Sequence, residues 1–311
     1  MIQIMLLYAL YGIVFIFSKQ ALVFSTPVFL AGARMLTAGV CSYILYRVWC
    51  RPVAWSSMTR HYIWYIFLLG LFNVYLTNAN EAWCLQYLTA SKVAFIYNLS
   101  PFFSLLFSWY MFHEQITWKK ILGIFIACAS IAPLLIEDTA LDIVDNSYHL
   151  GFISFAEFMM IIASAATAYG WVIMKYLMSE RSDFSSYFLN GVSLVIGGLM
   201  CFVQAFCFET RPYVLPGYAG DFLWYMIFMM FLQNLVAYNF NAYLLTIHSA
   251  TLVILFSFVM PIITALLGYL MLGEPLSIQF FVCSIGVAIG LLIFYQQELA
   301  DERRAEGKAK A

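Results

Sequence analysis

The segment 89–126 of this chain recurs 160 residues downstream, at 249–286. Superimposed at that constant offset, Ala90 meets Ala250, Pro101 meets Pro261, Glu114 meets Glu274 and Thr117 meets Ser277. Further upstream, Glu81-Ala82-Trp83 falls on Asn241-Ala242-Tyr243. Each match holds the same place in an apolar helix, a short polar break and a second apolar helix. The chain is therefore expected to be built twice from one unit of about 150 residues, and doubling of this kind inside a membrane places a path between the two halves.

The composition requires that membrane. Hydrophobic residues make up 64% of the chain and charged residues 10%, with a mean hydropathy of +0.87, whereas soluble domains carry about 25% charged residues. A helix needs about 20 apolar residues to cross the hydrocarbon, because lipid offers no partners to exposed backbone amides. About ten stretches qualify: 2–22, 27–48, 62–86, 90–112, 118–136, 150–176, 185–207, 220–245, 249–271 and 277–296. The first lacks a basic leader and a small-residue cleavage site, so it is expected to be a retained helix.

Lysine and arginine set the orientation. With the N-terminus inside, cytoplasmic segments receive Arg47, Arg51, Arg60, Lys119, Lys120, Lys175, Arg181, Arg303, Arg304, Lys308 and Lys310. The opposite side receives only Lys19, Arg34, Lys92 and Arg211. Both termini are thus expected in the cytoplasm, which requires an even number of spans. The expected fold class is all-α: a polytopic membrane protein of about ten helices in two five-helix repeats. Five being odd, the second copy enters the membrane inverted. The repeats would occupy 1–137 and 150–297, joined by an external acidic linker at 138–149 with Asp138, Asp142 and Asp145 and followed by a disordered cytoplasmic tail at 298–311.

Here the chain resembles the EamA-type ten-helix members of the drug/metabolite transporter superfamily. The likeness rests on "FIFSKQAL" with Lys19, "PVFLAGARMLTAG" with Arg34, and "NEAWCLQYLTAS" running into "KVAFIYNLSPFFSLLFSWYMFHEQITWKKILGIFIA". In the second copy it rests on "YGWVIMKYL" with Lys175 and "SATLVILFSFVMPIITALLGYLMLGEPLSIQFFVCSIGVAIG". It covers nearly everything except the tail. Two departures stand out: the second copy has no arginine matching Arg34, and His113 replaces the small residue usual before Glu114. The resemblance implies a multi-pass protein of the plasma membrane (the inner membrane of a cell with two). It would move a small organic solute by alternating access, as uniporter, exchanger or proton-coupled carrier, with the solute held between the halves.

The residues point to the same place. Pro101 and Pro261 each free a carbonyl one turn upstream, near Tyr97 and Ser257, at membrane depth. A lone proline need be only a packed kink. Two in equivalent positions of inverted halves are a recognised pointer to a transporter site. Asn73, Asn78, Asn80 and Glu81 lie in one span, and Gln233, Asn234, Asn239 and Asn241 in its counterpart. Residues three or four apart share a face, so Asn73, Asn80 and Trp83, or Asn234, Tyr238 and Asn241, could line a cavity. The competing reading is interhelical hydrogen bonding. Trp83, Tyr97, Asn98, Tyr169, Trp171, Tyr238 and Tyr243 would supply walls and polar contacts.

Charge within the spans is scarcer. Lys19 and Lys175 close equivalent helices and could either snorkel to headgroups or serve coupling. Arg34 lies about 10 Å of helix rise inside its span, where snorkelling is harder, and calls for a partner carboxylate or a solute carboxyl group. Glu81 and Glu157 are the candidate partners and candidate proton carriers. Glu114 and Glu274 are explained by turn amides.

Other chemistries find no motif. The histidines His61, His113, His149 and His248 are scattered, and no nucleophile elbow, phosphate loop or dinucleotide fingerprint occurs. The seven cysteines lack a Cys-x-x-Cys pair, and a net charge of −1 without a basic stripe argues against nucleic acid. No cofactor or metal is implied. The partners are a small-molecule solute and the lipid bilayer, and a homodimer is compatible with all of this. An intramembrane enzyme or sensor would need features that these residues do not supply. An aromatic site with amides, one arginine and a glutamate suits a zwitterion with an amino-acid head and a flat or apolar body, such as S-adenosylmethionine or an aromatic amino acid. Export of amino acids, amines or drugs is the alternative within the same family.

Overall fold

A computed structural model describes residues 2–50, 58–113, 116–136, 149–150, 153–273, 278, 281–286, 288–290 and 292–297. Eight of its helices are long and apolar enough to cross a membrane: α1 (Ile2–Ala21), α2 (Pro27–Trp49), α3 (Arg60–Cys84), α4 (Ala90–Phe112), α6 (Phe155–Glu180), α7 (Ser186–Phe208), α8 (Ala219–Ile247) and α9 (Ala250–Leu272). Between them lies α5 (Trp118–Ile136), and a shorter apolar helix, α10 (Phe281–Gln297), follows. The expected linker at 138–148, the tail at 298–311 and the turn residues Glu114 and Glu274 fall outside the described residues.

Local chemistry fixes the helix ends. Thr89 and Ser249, one offset apart, accept the backbone N–H groups of Lys92 and Leu252, so α4 and α9 begin with the same side-chain cap. Helix α6 starts at Phe155, five residues later than the sequence suggests, because Ser154 and Glu157 form a reciprocal capping box. The residues before it instead form a minimal antiparallel pairing of His149–Leu150 with Ile153–Ser154. Both α4 and α9 end in a left-handed residue, His113 (φ 54°) and Gly273 (φ 68°).

The recurrence at 160 residues extends to backbone irregularities. A π-helical stretch at Gly70–Leu76 in α3 is matched by one at Met230–Ala237 in α8. The α-helix of α4 breaks after Tyr97, and α9 passes through a 3-10 turn at Phe256–Phe258. Side chains satisfy the freed carbonyls: Thr77 Oγ1 donates to the Phe72 carbonyl at 2.8 Å, and Asn78 Nδ2 donates to that of Val74 at 2.8 Å. Irregular backbone at membrane depth is tolerated on that condition.

Glycines bring α2 and α7 together. Helices α2 and α7 pack along Gly32, Gly39, Gly191 and Gly198; a Cβ at Gly198 would lie 2.7 Å from the Leu36 amide nitrogen. At one end of this pair the turn after α1 is laced to the loop after α7. Thr26 N–H donates to the Tyr213 carbonyl at 3.0 Å, and Leu215 N–H to that of Phe24 at 2.9 Å. Glu209 completes the lacing, accepting from Thr26 Oγ1 (2.7 Å) and from the amides of Val28 (2.7 Å) and Phe29 (2.9 Å) at the start of α2. Around this frame α1 packs on α9 and α6 on α4, leaving a space among the helices.

Candidate functional site

Six helices line that space. Helix α1 contributes Tyr8, Tyr11 and Phe15, at helical spacing on one face. Helices α3 and α6 contribute Thr77 and Glu81, and Thr167 and Trp171, each pair four residues apart. The breaks bring in Tyr97 and Ser100 from α4, Gln233 and Tyr238 come from α8, and Ile254 and Met260 from α9. The cavity between them is about 20 Å³, room for about one water molecule. The site is thus constricted in this conformation, and a solute must spread its walls.

Six of these thirteen residues are rings, packed edge to face or tilted. Trp171 and Tyr238 lie 5.2 Å apart between centroids, Tyr8 and Tyr11 5.7 Å, and Phe15 and Tyr97 6.1 Å. Buried amides orient the phenols: Asn78 Nδ2 donates to the Tyr238 hydroxyl at 3.3 Å, and Asn241 Nδ2 to that of Tyr11 at 3.4 Å. Thr77 and Thr167 hydroxyls meet at 2.8 Å and tie α3 to α6. Behind the rings the breaks of the two halves touch, with Ser257 Oγ donating to Asn98 Oδ1 at 3.4 Å. The Tyr97 carbonyl freed by Pro101 accepts from Ser100 Oγ, so the break is capped from within.

Two charges belong to this centre. Glu81 is 4% exposed, its carboxylate makes no hydrogen bond among the described residues, and it lines both the ring-walled space and a smaller void beside it. Arg34, 3% exposed, lines the smaller void. Its guanidinium donates to Gln233 Oε1 at 2.7 Å, Asn78 Oδ1 at 3.1 Å and Met229 Sδ at 3.7 Å, while Nε has no partner among the described residues. The carboxylate expected within contact of Arg34 is thus replaced by two neutral amides.

Of the residues singled out from the sequence, Glu81, Tyr97, Trp171 and Tyr238 converge on the cavity, with Asn98, Asn241 and Arg34 one layer back. Asn80 and Trp83 point aside; Trp83 packs on Tyr87 and Phe155. The π stretch explains this. Asn78 Nδ2 also reaches the Asn73 carbonyl five residues back, at 3.3 Å, so the inward face runs through Thr77, Asn78 and Glu81 and misses Asn80 and Trp83. Tyr169 turns away into a ring cluster with Phe72 and Phe107.

The outer charges serve packing. Glu157 caps α6 and pairs with Lys92 Nζ at 2.9 Å, both side chains 7% exposed. Lys19 donates to the Leu88 carbonyl, 3.0 Å away, beyond the end of α3. Lys175 lies over the Phe112 ring at 5.3 Å. Asn239 takes up the interhelical option, accepting from Asn190 at 3.1 Å. Gln233 is among the amides singled out from the sequence, whereas the lining residues Tyr8, Tyr11, Phe15, Thr77, Ser100, Thr167, Ile254 and Met260 are not. The three on α1 carried a signal in their spacing, masked by an aromatic content of 19%. Among the described residues, no group of three or more His, Cys, Asp or Glu could hold a metal ion.

Comparison with known proteins bears on what occupies this centre. The EamA-like transporter family matches residues 1–136 and 154–296. The S-adenosylmethionine/S-adenosylhomocysteine transporter of Chlamydia muridarum is 28% identical over 91% of this chain and 87% of that protein. The transporter of the same name from Chlamydia trachomatis serovar L2 is 29% identical over 91% of this chain and 85% of its own length. A solved protein structure superposes with a TM-score of 0.67, covering 94% of this chain and 93% of that one at 13% identity, a likeness of fold.

Proposed function

Since the chain belongs to the EamA-like transporter family and is a multi-pass membrane protein, we propose that it is a secondary transporter that carries S-adenosylmethionine and S-adenosylhomocysteine by alternating access. The observation that carries this reading is the ring-walled central cavity with one unbonded carboxylate, Glu81. Adenine offers a flat face to Trp171, Tyr238 and Tyr97. A sulfonium is a soft cation of the kind that tyrosine and tryptophan faces attract. The names of the chlamydial relatives support the same solutes.

In this reading, ten spans form two inverted repeats, 1–137 and 150–297, with 138–149 and 298–311 outside the bundle, and both termini face the cytoplasm of a plasma-membrane protein. Matched π stretches, breaks and caps at one offset support the duplication. Substrate contact falls to Glu81, Tyr97, Trp171 and Tyr238, with Asn98 and Asn241 holding the scaffold behind them. Transport, not catalysis, is the activity.

Thermal stability of the purified carrier tests the reading. Ligand at 100 times Kd stabilises the folded state by about 2.7 kcal/mol, so S-adenosylhomocysteine should raise the melting temperature and compete with S-adenosylmethionine. Shifts with plain amino acids or amines and none with either adenosyl compound would reject it. Trp171→Ala should weaken adenosyl binding about 10-fold or more, since an aromatic face under a base contributes about 1–3 kcal/mol; titration calorimetry reads this directly.

A further inference from the structure

The smaller void beside the ring-walled cavity is about 10 Å³ and, apart from Ser18, Arg34 and Glu81, is walled by leucine and alanine side chains. Arg34 and Glu81 are both buried, carry opposite charge, and feel one another electrostatically. Yet no ion pair within 4.0 Å joins them among the described residues. Gln233 Oε1 from α8 and Asn78 Oδ1 from α3 hold the guanidinium where it is, and its Nε has no partner among the described residues. The carboxylate of Glu81 makes no hydrogen bond among the described residues, and only its backbone carbonyl accepts one, from Leu85 N–H at 3.0 Å. A buried charge without a contacting counter-charge is costly in a span. Two of them, opposite in sign, held apart on one void, are complementary to a group that carries both charges at once.

We infer that this void receives the α-amino-acid head of the solute, its carboxylate on Arg34 and its ammonium on Glu81. Because Glu81 lines both spaces, the rest of the molecule passes it into the ring-walled cavity, where the base lies against aromatic faces. The assignment rests on the function proposed above and deepens it: recognition is divided between a zwitterion subsite and an aromatic subsite. The guanidinium suits the first task, as its fork of donors can add a charge-assisted bond to a carboxylate while keeping its amide partners.

The test compares three probes on the purified full-length carrier: S-adenosylmethionine, its decarboxylated analogue, and methylthioadenosine, which lacks the whole head. In the wild type, loss of the carboxylate should weaken binding about 30-fold, the effect of one charge-assisted bond, and loss of the head should weaken it further. In Arg34→Gln the first two probes should bind alike, with methylthioadenosine unchanged from wild type, which also reports that the variant is folded. Glu81→Gln should instead narrow the preference of the decarboxylated compound over methylthioadenosine to the part owed to the sulfonium charge, which methylthioadenosine also lacks. If the three probes bind wild type equally, the subsite assignment is overturned while the adenosyl reading stands. If Arg34→Gln weakens methylthioadenosine as much as the others, the arginine is structural and the assignment is likewise overturned. If no adenosyl compound binds wild type, the proposed function itself fails.

Discussion

Gly198→Leu is expected to abolish the folded carrier. A Cβ at this position would stand 2.7 Å from the Leu36 amide nitrogen and 3.1 Å from its Cα, and backbone cannot step aside as the tip of a side chain can. Overpacking in an ordinary core costs about 1–3 kcal/mol. Here the extra atoms would wedge apart α2 and α7 where Gly32, Gly39, Gly191 and Gly198 let them cross, so the strain falls on the seam between the halves. Gly220→Leu is the matched control: it too is a helical glycine, and a Cβ there meets nothing within 4 Å. Size-exclusion profiles and melting curves should show a monodisperse, cooperatively melting Gly220→Leu protein and an aggregated or unfolded Gly198→Leu protein. Equal behaviour of the two would mean that the close crossing is not what holds the halves together.

Glu209→Ala should unlace one end of the same seam. The first amides of a helix have no acceptor within the helix, and for Val28 and Phe29 the carboxylate of Glu209 is that acceptor, at 2.7 and 2.9 Å. Hydrogen bonds to charged groups contribute about 1.5–3 kcal/mol each. Glu209 is half-buried, so water recovers part of this, and about 1.4 kcal/mol, a factor of about ten, is the expected net change. Hydrogen exchange should therefore speed up about 10-fold at the amides of Val28 and Phe29, and also at Thr26 and Leu215, whose bonds to Tyr213 and Phe24 depend on the same lacing. Unchanged protection at all four would show that the loops hold themselves closed without the carboxylate.

Much of this architecture is legible in the sequence because membrane burial leaves so few alternatives. Apolar length marked the helices, and Pro101 with Pro261 marked the two breaks. The offset of 160 proved to carry caps and π stretches that no residue type announces. Where the reading of the site departed from the structure, the cause was local. Straight helical periodicity through α3 grouped Asn80 and Trp83 with Asn73, whereas the π stretch at Gly70–Leu76 turns Thr77 and Glu81 inward instead. Glu157 looked like a coupling group but stands three residues after Ser154, where a capping box and Lys92 take it. The tyrosines of α1 were hidden by the abundance of rings elsewhere. Glu209 carried no signal, because its partners lie about 180 residues away in sequence and depend on how α2 and α7 cross.

Movement of solute between the halves is the central claim, and exchange across a sealed membrane measures it. Vesicles containing the purified carrier and loaded with S-adenosylhomocysteine should take up labelled S-adenosylmethionine from outside faster than vesicles lacking the protein. Excess unlabelled S-adenosylmethionine should suppress that uptake, and Trp171→Ala should reduce it. Uptake no faster than in protein-free vesicles, from a carrier shown to be folded and inserted, would contradict the account.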